Sequence, residues 1–156
     1  MALEIERKYL LRNDSWRAQI EHSVVMAQGY LNDDPLRTVR VRRAGDRAYL
    51  TVKGPVVGIT RAEFEYEIPV ADATGMLALC PDFVVEKIRH YVRRGTLLWE
   101  IDEFNGQNAG LVVAEIELPA EDAHFEQPEW VGEEVSGDPR YYNSSLASHP
   151  FRTWSS

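Results

Sequence analysis

The sequence predicts a mainly β protein of the α+β kind, built on eight antiparallel strands with a few helices packed outside them. Three observations carry this. Apolar and polar residues alternate over most of the 156 residues, which is the two-residue period of a strand and not the 3.6 of a helix. Several connections between these runs are short enough for antiparallel hairpins. Finally, one face of nearly every run is charged, and the charges are sorted by sign from strand to strand.

In chain order, strands are expected at about 2–11, 24–32, 36–44, 47–54, 60–69, 84–94, 96–104 and 111–119. Turn signals separate them: "NDDP", "AGDR", "KGPVVG", "RRGT" and "NGQNAG". A first helix is expected from Asn13 or Asp14, with Trp16 and Ile20 on one face. A second follows Asp72 as N-cap, holds Met76, Leu77 and Cys80, and stops at Pro81. After Pro119 the alternation dissolves into an acidic stretch. In "GDPRYYNSSLA", Asp138 as N-cap and Pro139 at the first helical position predict a C-terminal helix. No repeat, linker or low-complexity segment interrupts the chain, which reads as a single domain over residues 1–156.

Composition narrows the function classes. Net charge is −8, so the chain is a poor non-specific binder of nucleic acid. A lone cysteine, Cys80, cannot form an internal disulfide and suits a reducing cytosol. Charges at positions 4, 6, 7 and 8 break any signal-peptide apolar region, and no apolar run approaches the roughly 20 residues of a membrane span. The expectation is a soluble, cytoplasmic protein with no membrane partner.

The charged faces are specific. In "LEIERKYLL" Glu4, Glu6 and Lys8 share a face. "TVRVR" aligns Thr38, Arg40 and Arg42 against Val39 and Val41. "YLTVK" aligns Tyr49, Thr51 and Lys53, and "EFEYEI" aligns Glu63, Glu65 and Glu67 against Phe64, Tyr66 and Ile68. "EKIRHYV" gives Lys87 and Arg89, "LWEID" gives Glu100 and Asp102, and "VAEIEL" gives Glu115 and Glu117. An ordinary sheet turns such faces to solvent. A face kept only for solubility, however, mixes signs and uses Ser, Thr and Gln. The bulky opposite faces need burial beneath helices, so the charged faces belong to solvent or to a water-filled barrel interior. An interior so lined is costly unless its charges are paired or bind a highly charged ligand.

The bases Lys8, Arg40, Arg42, Lys53, Lys87 and Arg89 suit several phosphates in a row. The acids Glu4, Glu6, Glu63, Glu65, Glu100, Asp102, Glu115 and Glu117 would repel that ligand unless a hard divalent cation, Mg²⁺ or Mn²⁺, sits between. Together they describe metal-assisted phosphoryl transfer.

"EIERK" resembles the N-terminal Glu-x-Glu-x-Lys signature of the CYTH superfamily, the triphosphate tunnel metalloenzymes. The likeness runs through "VRVR", "LTVKG", "EFEYEI", "EKIR", "WEIDEF" and "AEIEL" to "GDPRYYNSSLA", nearly the whole chain. It implies a closed eight-stranded antiparallel β-barrel tunnel open at both ends, holding divalent metal and a triphosphate. Among the family's activities, short bacterial-type members most resemble inorganic triphosphatases. The resemblance implies Glu4, Glu6, Glu115 and Glu117 as metal ligands, and Lys8, Arg40, Arg42, Lys53, Lys87 and Arg89 as the phosphate cradle. It implies Lys8, Glu63, Glu65 and Tyr30 at the chemistry, with Glu63 or Glu65 a ligand or a support to one. A homodimer is implied by the family only. The leading expectation is hydrolysis of tripolyphosphate to pyrophosphate and phosphate. Thiamine triphosphatase or class IV adenylate cyclase chemistry, or a non-catalytic polyphosphate- or nucleotide-binding module, are its rivals.

Other chemistry is not supported. "KGPVVGIT" lacks the Gly-Lys-Ser/Thr ending of a phosphate loop and lies between strands. His22, His90, His124 and His149 have no metal spacing among themselves or with Cys80. No Gly-x-Ser-x-Gly elbow is present.

Overall fold

The computed structural model describes residues 2–154. Its strands are β1 (Leu3–Leu11), β2 (His22–Tyr30), β3 (Thr38–Ala44), β4 (Arg47–Lys53), β5 (Thr60–Ile68), β6 (Val85–Arg94), β7 (Leu97–Phe104), β8 (Val112–Glu117) and β9 (Val131–Glu134). The helices are α1 (Val70–Leu79) and α2 (Asn143–Ser148). All pairings are antiparallel, in the order β5-β4-β3-β2-β6-β7-β8-β1-β9. Leu3↔Ala62, Glu4↔Arg61 and Ile5↔Thr60 join β1 to β5 and close the first eight strands into the expected barrel. Further along that edge β9 takes over, through Tyr9↔Glu134 and Leu11↔Val131, so the strand's hydrogen-bonding edge stays covered.

Two hairpins use glycine for a physical reason. Gly45 and Gly95 sit at φ +62° and +63°, each first in a two-residue loop. That position of a II′ turn needs φ > 0, which costs glycine little.

Several boundaries differ from expectation. The acidic stretch after Pro119 hides β9, which is too short at four residues to show alternation. The first expected helix is a 3₁₀ turn, Ser15–Gln19. Helix α1 starts at Val70, because Pro69 holds the chain extended (φ −60°, ψ 139°) as far as the helix. Asp72 therefore lies in the first turn and is not its N-cap. Asp138 does cap a turn, accepting from the Arg140 N–H, but that is a 3₁₀ turn over Pro139–Tyr141. An extended Tyr142 (φ −67°, ψ 135°) then separates it from α2. Among the described residues no helix is long and apolar enough to cross a membrane.

The barrel is inside out relative to a globular sheet protein. Its main apolar core lies on the outer face of β1, β6, β7 and β8, where Tyr9, Val92, Trp99, Ile101, Ala114 and Ile116 pack under Trp16, Leu118 and Trp130. Trp16, Trp99 and Trp130 are 0% exposed. Trp99 meets Trp130 edge-on at 5.3 Å and Tyr9 at 5.7 Å, contacts that add roughly 0.5–1.5 kcal/mol each beyond area burial. His90 also faces outward, bonded to Ser23 Oγ (2.7 Å) and Glu103 (3.1 Å) and packed on Trp16. The expected cover is incomplete on β4 and β5. Helix α1 spans only Val41, Ala48 and their neighbours, so Val52, Phe64 and Tyr66 stay exposed.

The barrel is filled at one end. Val85, Phe104 and Val113 continue the inward-facing rows of Lys87, Asp102 and Glu115, and they pack with Tyr30 against Leu146 and Ala147 of α2. The inward faces therefore change from charged to apolar where α2 docks, and that end is not the open mouth the resemblance implies.

Candidate active site

Above this apolar stopper, the inward faces enclose a cavity of about 460 Å³. Glu4, Glu6 and Lys8 of β1, Tyr30 of β2, Arg40 and Arg42 of β3, and Lys53 of β4 line it. So do Glu63 and Glu65 of β5, Lys87 and Arg89 of β6, and Glu115 and Glu117 of β8. Each arrives by strand parity: residues two apart in an extended chain share a face.

Carboxylates and cations are arranged in distinct groups. Glu6, Glu100 and Glu115 each place one ligand oxygen within 4.8 Å of the others. Burial, then the neighbouring Glu115 and Glu4 carboxylates, pushes the Glu6 carboxyl well above its ordinary 4.5. Burial also raises Glu100. Burial alone would raise Glu115, but Lys8, Arg89 and Lys87 outweigh it and hold it well below 4.5. Three clustered oxygen donors, one buried and two half-buried, with Glu6 and Glu100 costly to ionise without a nearby cation, fit a hard divalent ion. Of the expected ligands, Glu6 and Glu115 belong to this group. Glu4 instead accepts from Lys53 Nζ (3.1 Å), which also pairs with Glu63 (3.1 Å). Glu117 lines the cavity with its carboxyl raised, first by burial and then by Glu4 and Glu63.

The cations are held with unequal restraint. Lys87 and Asp102 are both 0% exposed in their side chains and 2.7 Å apart. Arg89 grips the same carboxylate with Nε (2.8 Å) and Nη2 (3.0 Å). Burial pushes Lys87 down to about 7 despite Asp102. Lys8 pairs with Glu115 at 3.5 Å and donates to the Tyr141 carbonyl (3.0 Å). Arg40 leans on Thr51 (3.2 Å) and Glu65 (3.4 Å) and is 6% exposed, yet its Nε has no acceptor. An unmet buried donor of this kind is costly, and an anion's oxygen would satisfy it.

Some site residues went unread. Arg61, Tyr49 and Tyr91 line the cavity. Arg61 and Tyr91 share the parity of Glu63 and Arg89 on their strands, so extending those rows by one step finds them. Tyr49 shares the face of Lys53 and follows it into the cavity. Asn143, the first residue of α2, lines the cavity and accepts from Lys87 (2.9 Å), and no alternation marks it. Asp102 shares the parity of Glu100 but is sealed beneath Lys87 and Arg89. It is their counter-charge.

The similarities agree with this geometry. The CYTH domain model matches residues 2–142. A protein of Acetivibrio thermocellus named inorganic triphosphatase is 47% identical over 155 residues, covering 99% of both chains. Another of that name from Nitrosomonas europaea is 36% identical over 152 residues, 92% of this chain and 96% of its own. The crystal structure of an inorganic triphosphatase superposes with a TM-score of 0.67 at 34% identity, covering 94% of this chain and 95% of that one. A barrel with this charged interior and matches of this extent make the chain a member of the CYTH domain family.

Proposed function

We propose that this protein is a divalent-metal-dependent inorganic triphosphatase that hydrolyses tripolyphosphate to pyrophosphate and phosphate. The observation that carries the reading is the convergence, in one cavity, of phosphate-seeking cations with the Glu6–Glu100–Glu115 cluster. The 47% identical relative carries the same activity in its name.

In this reading Glu6, Glu100 and Glu115, with Glu4 and Glu117 beside them, hold Mg²⁺ or Mn²⁺. A bound divalent ion supplies the positive charge that lets a polyanion sit among carboxylates. Lys8, Arg40, Arg42, Lys53, Lys87 and Arg89 take phosphate oxygens and fix the chain in line. Because most are already tethered to protein partners, little reorganisation is left for the reaction itself. A water attacks the terminal phosphorus as the bond to the pyrophosphate oxygen breaks, and Glu63 or Glu65 orients that water and accepts its proton. Lys8 and Tyr30 stand beside the reacting phosphates. We place the reaction in the cytoplasm, where Cys80 remains a free thiol.

The test is one assay. Purified protein with Mg²⁺ or Mn²⁺ is given tripolyphosphate, ATP or thiamine triphosphate, and phosphate, pyrophosphate and cyclic AMP are scored. Preferential release of phosphate and pyrophosphate from tripolyphosphate is expected. Cyclic AMP, faster turnover of an organic triphosphate, or binding without turnover under either metal overturns the reading.

A further inference from the structure

Of the expected cradle cations, Lys8, Arg40, Lys53, Lys87 and Arg89 each have a carboxylate partner. Among the described residues Arg42 has none. Its Nε donates instead to Gln28 Oε1 at 2.8 Å. Gln28 is 0% exposed. Its Nε2 donates to Tyr30 Oη (3.0 Å) and to Asn143 Oδ1 (3.0 Å), and that same Asn143 oxygen accepts from Lys87 Nζ (2.9 Å). A buried amide with one oxygen and one NH₂ thus ties together Arg42, Tyr30 and, through Asn143, Lys87.

We infer that Gln28 is a positioning residue for substrate phosphate: it aims the Arg42 guanidinium into the cavity without neutralising it. The argument is electrostatic. A carboxylate at position 28 would hold Arg42 as well as the amide does, but it would cancel the charge that a phosphate needs. An apolar residue would leave the charge and lose the aim, since a guanidinium recognises phosphate through a planar fork whose direction matters. A neutral acceptor does both jobs. It occupies Nε and leaves the two terminal amino groups of the fork for phosphate oxygens. The register fits this role: Gln28 pairs directly with Arg42 across β2 and β3, on the inward face. Asn143, the first residue of α2, accepts from both Gln28 and Lys87, so the amide that aims Arg42 is itself held in place from the other wall. In this chain the substrate phosphate is the missing counter-charge of Arg42.

The inference rests on the triphosphatase reading, and the two fail differently. Wild-type turnover of tripolyphosphate with Mg²⁺ tests the reading; Gln28 variants in that active enzyme test the inference. Gln28→Glu keeps the size and the acceptor and adds charge, and it should raise KM at least about tenfold. Gln28→Met keeps the volume and loses the bonds, and it should lower kcat/KM by roughly tenfold to a hundredfold, with melting temperature tracked to score folding. The deciding measurement is a cycle with Arg42→Ala. If Gln28 acts through Arg42, Gln28→Met costs less than about threefold once Arg42 is gone. Independent, multiplying losses in the double variant overturn the inference. So does a Gln28→Glu enzyme with wild-type KM. Should Gln28→Met fail to fold, the Gln28→Glu KM and its own cycle with Arg42→Ala decide the matter.

Discussion

Two walls of the cavity carry arginines of the same purpose under opposite restraint. On the β6–β7 wall, Arg89 and Lys87 share Asp102, a carboxylate sealed from solvent, and Arg89 also reaches Glu100 (3.3 Å) and Glu115 (3.6 Å). On the β2–β3 wall, Arg42 has a neutral amide and nothing more. Burial pulls Arg42 down to about 10, helped by Arg40 and Arg89. Arg89 is buried too, yet Asp102 and Glu100 outweigh that and keep it well above the ordinary arginine range. The first wall is neutralised before any ligand arrives; on the second, Arg40 leans on Glu65 but Arg42 is left without a counter-charge. A cavity with only the second would struggle to stay folded, and one with only the first would have no unmet charge to attract a polyanion.

The largest effect is expected where the matched wall is broken. Asp102→Asn leaves Lys87 and Arg89 buried without their shared anion, a change that costs about 3 kcal/mol or more. Chemical denaturation should show it as a lower midpoint at unchanged slope. A stability within about 0.5 kcal/mol of wild type would mean the pairing contributes little, and the contrast between the walls would lose its energetic meaning.

Next comes the carboxylate cluster. Unfolded, Glu6 loses its proton near 4.5; folded, it does so only well above that. Between the two, the folded state binds the extra proton, so this residue's contribution to stability falls as pH rises. Glu6→Gln cannot titrate. In EDTA, the variant's melting temperature should therefore gain on wild type as pH climbs from about 4.5 towards 8. With Mg²⁺ present the order should reverse, because the variant has lost a ligand and with it the metal's stabilisation. A wild type that gains on the variant with rising pH in EDTA would contradict the crowding of these carboxylates.

Much of this was legible because a strand's period is two. Once Arg40, Arg42, Lys87, Arg89, Glu115 and Glu117 are placed on inward rows, a closed barrel must bring them together, whatever its exact shear. Parity says which side a residue faces, but not how far along the barrel it lies. It could not separate Glu100, which reaches the carboxylate cluster, from Asp102, sealed two residues on. Nor could it see that Val85, Phe104 and Val113 turn the same rows into an apolar stopper for α2. Non-periodic segments were the least readable. β9 is four acidic-rich residues recruited by an open edge of β1, and Asn143 reaches the site because α2 docks there. Both depend on tertiary contacts that no local pattern records.

The smallest effect expected is the sharpest test of which way the unmatched wall faces. Arg42 and Arg43 are chemically alike and adjacent, but Arg42 lines the cavity while Arg43 is exposed and donates only to the Gly45 carbonyl (3.1 Å) beside the β3–β4 turn. Arg42→Ala removes charge-assisted bonds to phosphate, each worth roughly 1.5–3 kcal/mol, so kcat/KM for tripolyphosphate should fall at least about tenfold. Arg43→Ala gives up a solvent-exposed contact and should cost well under about 1 kcal/mol of stability, with kcat/KM within about twofold of wild type. The two variants are measured side by side at saturating Mg²⁺, with circular dichroism to show that both are folded. If Arg43→Ala is the more damaging, β3 is rotated by one residue, and Gln28 would then have no inward arginine to aim. If neither variant loses activity, the substrate is held by the matched wall alone, and the open charge on β3 has some other use.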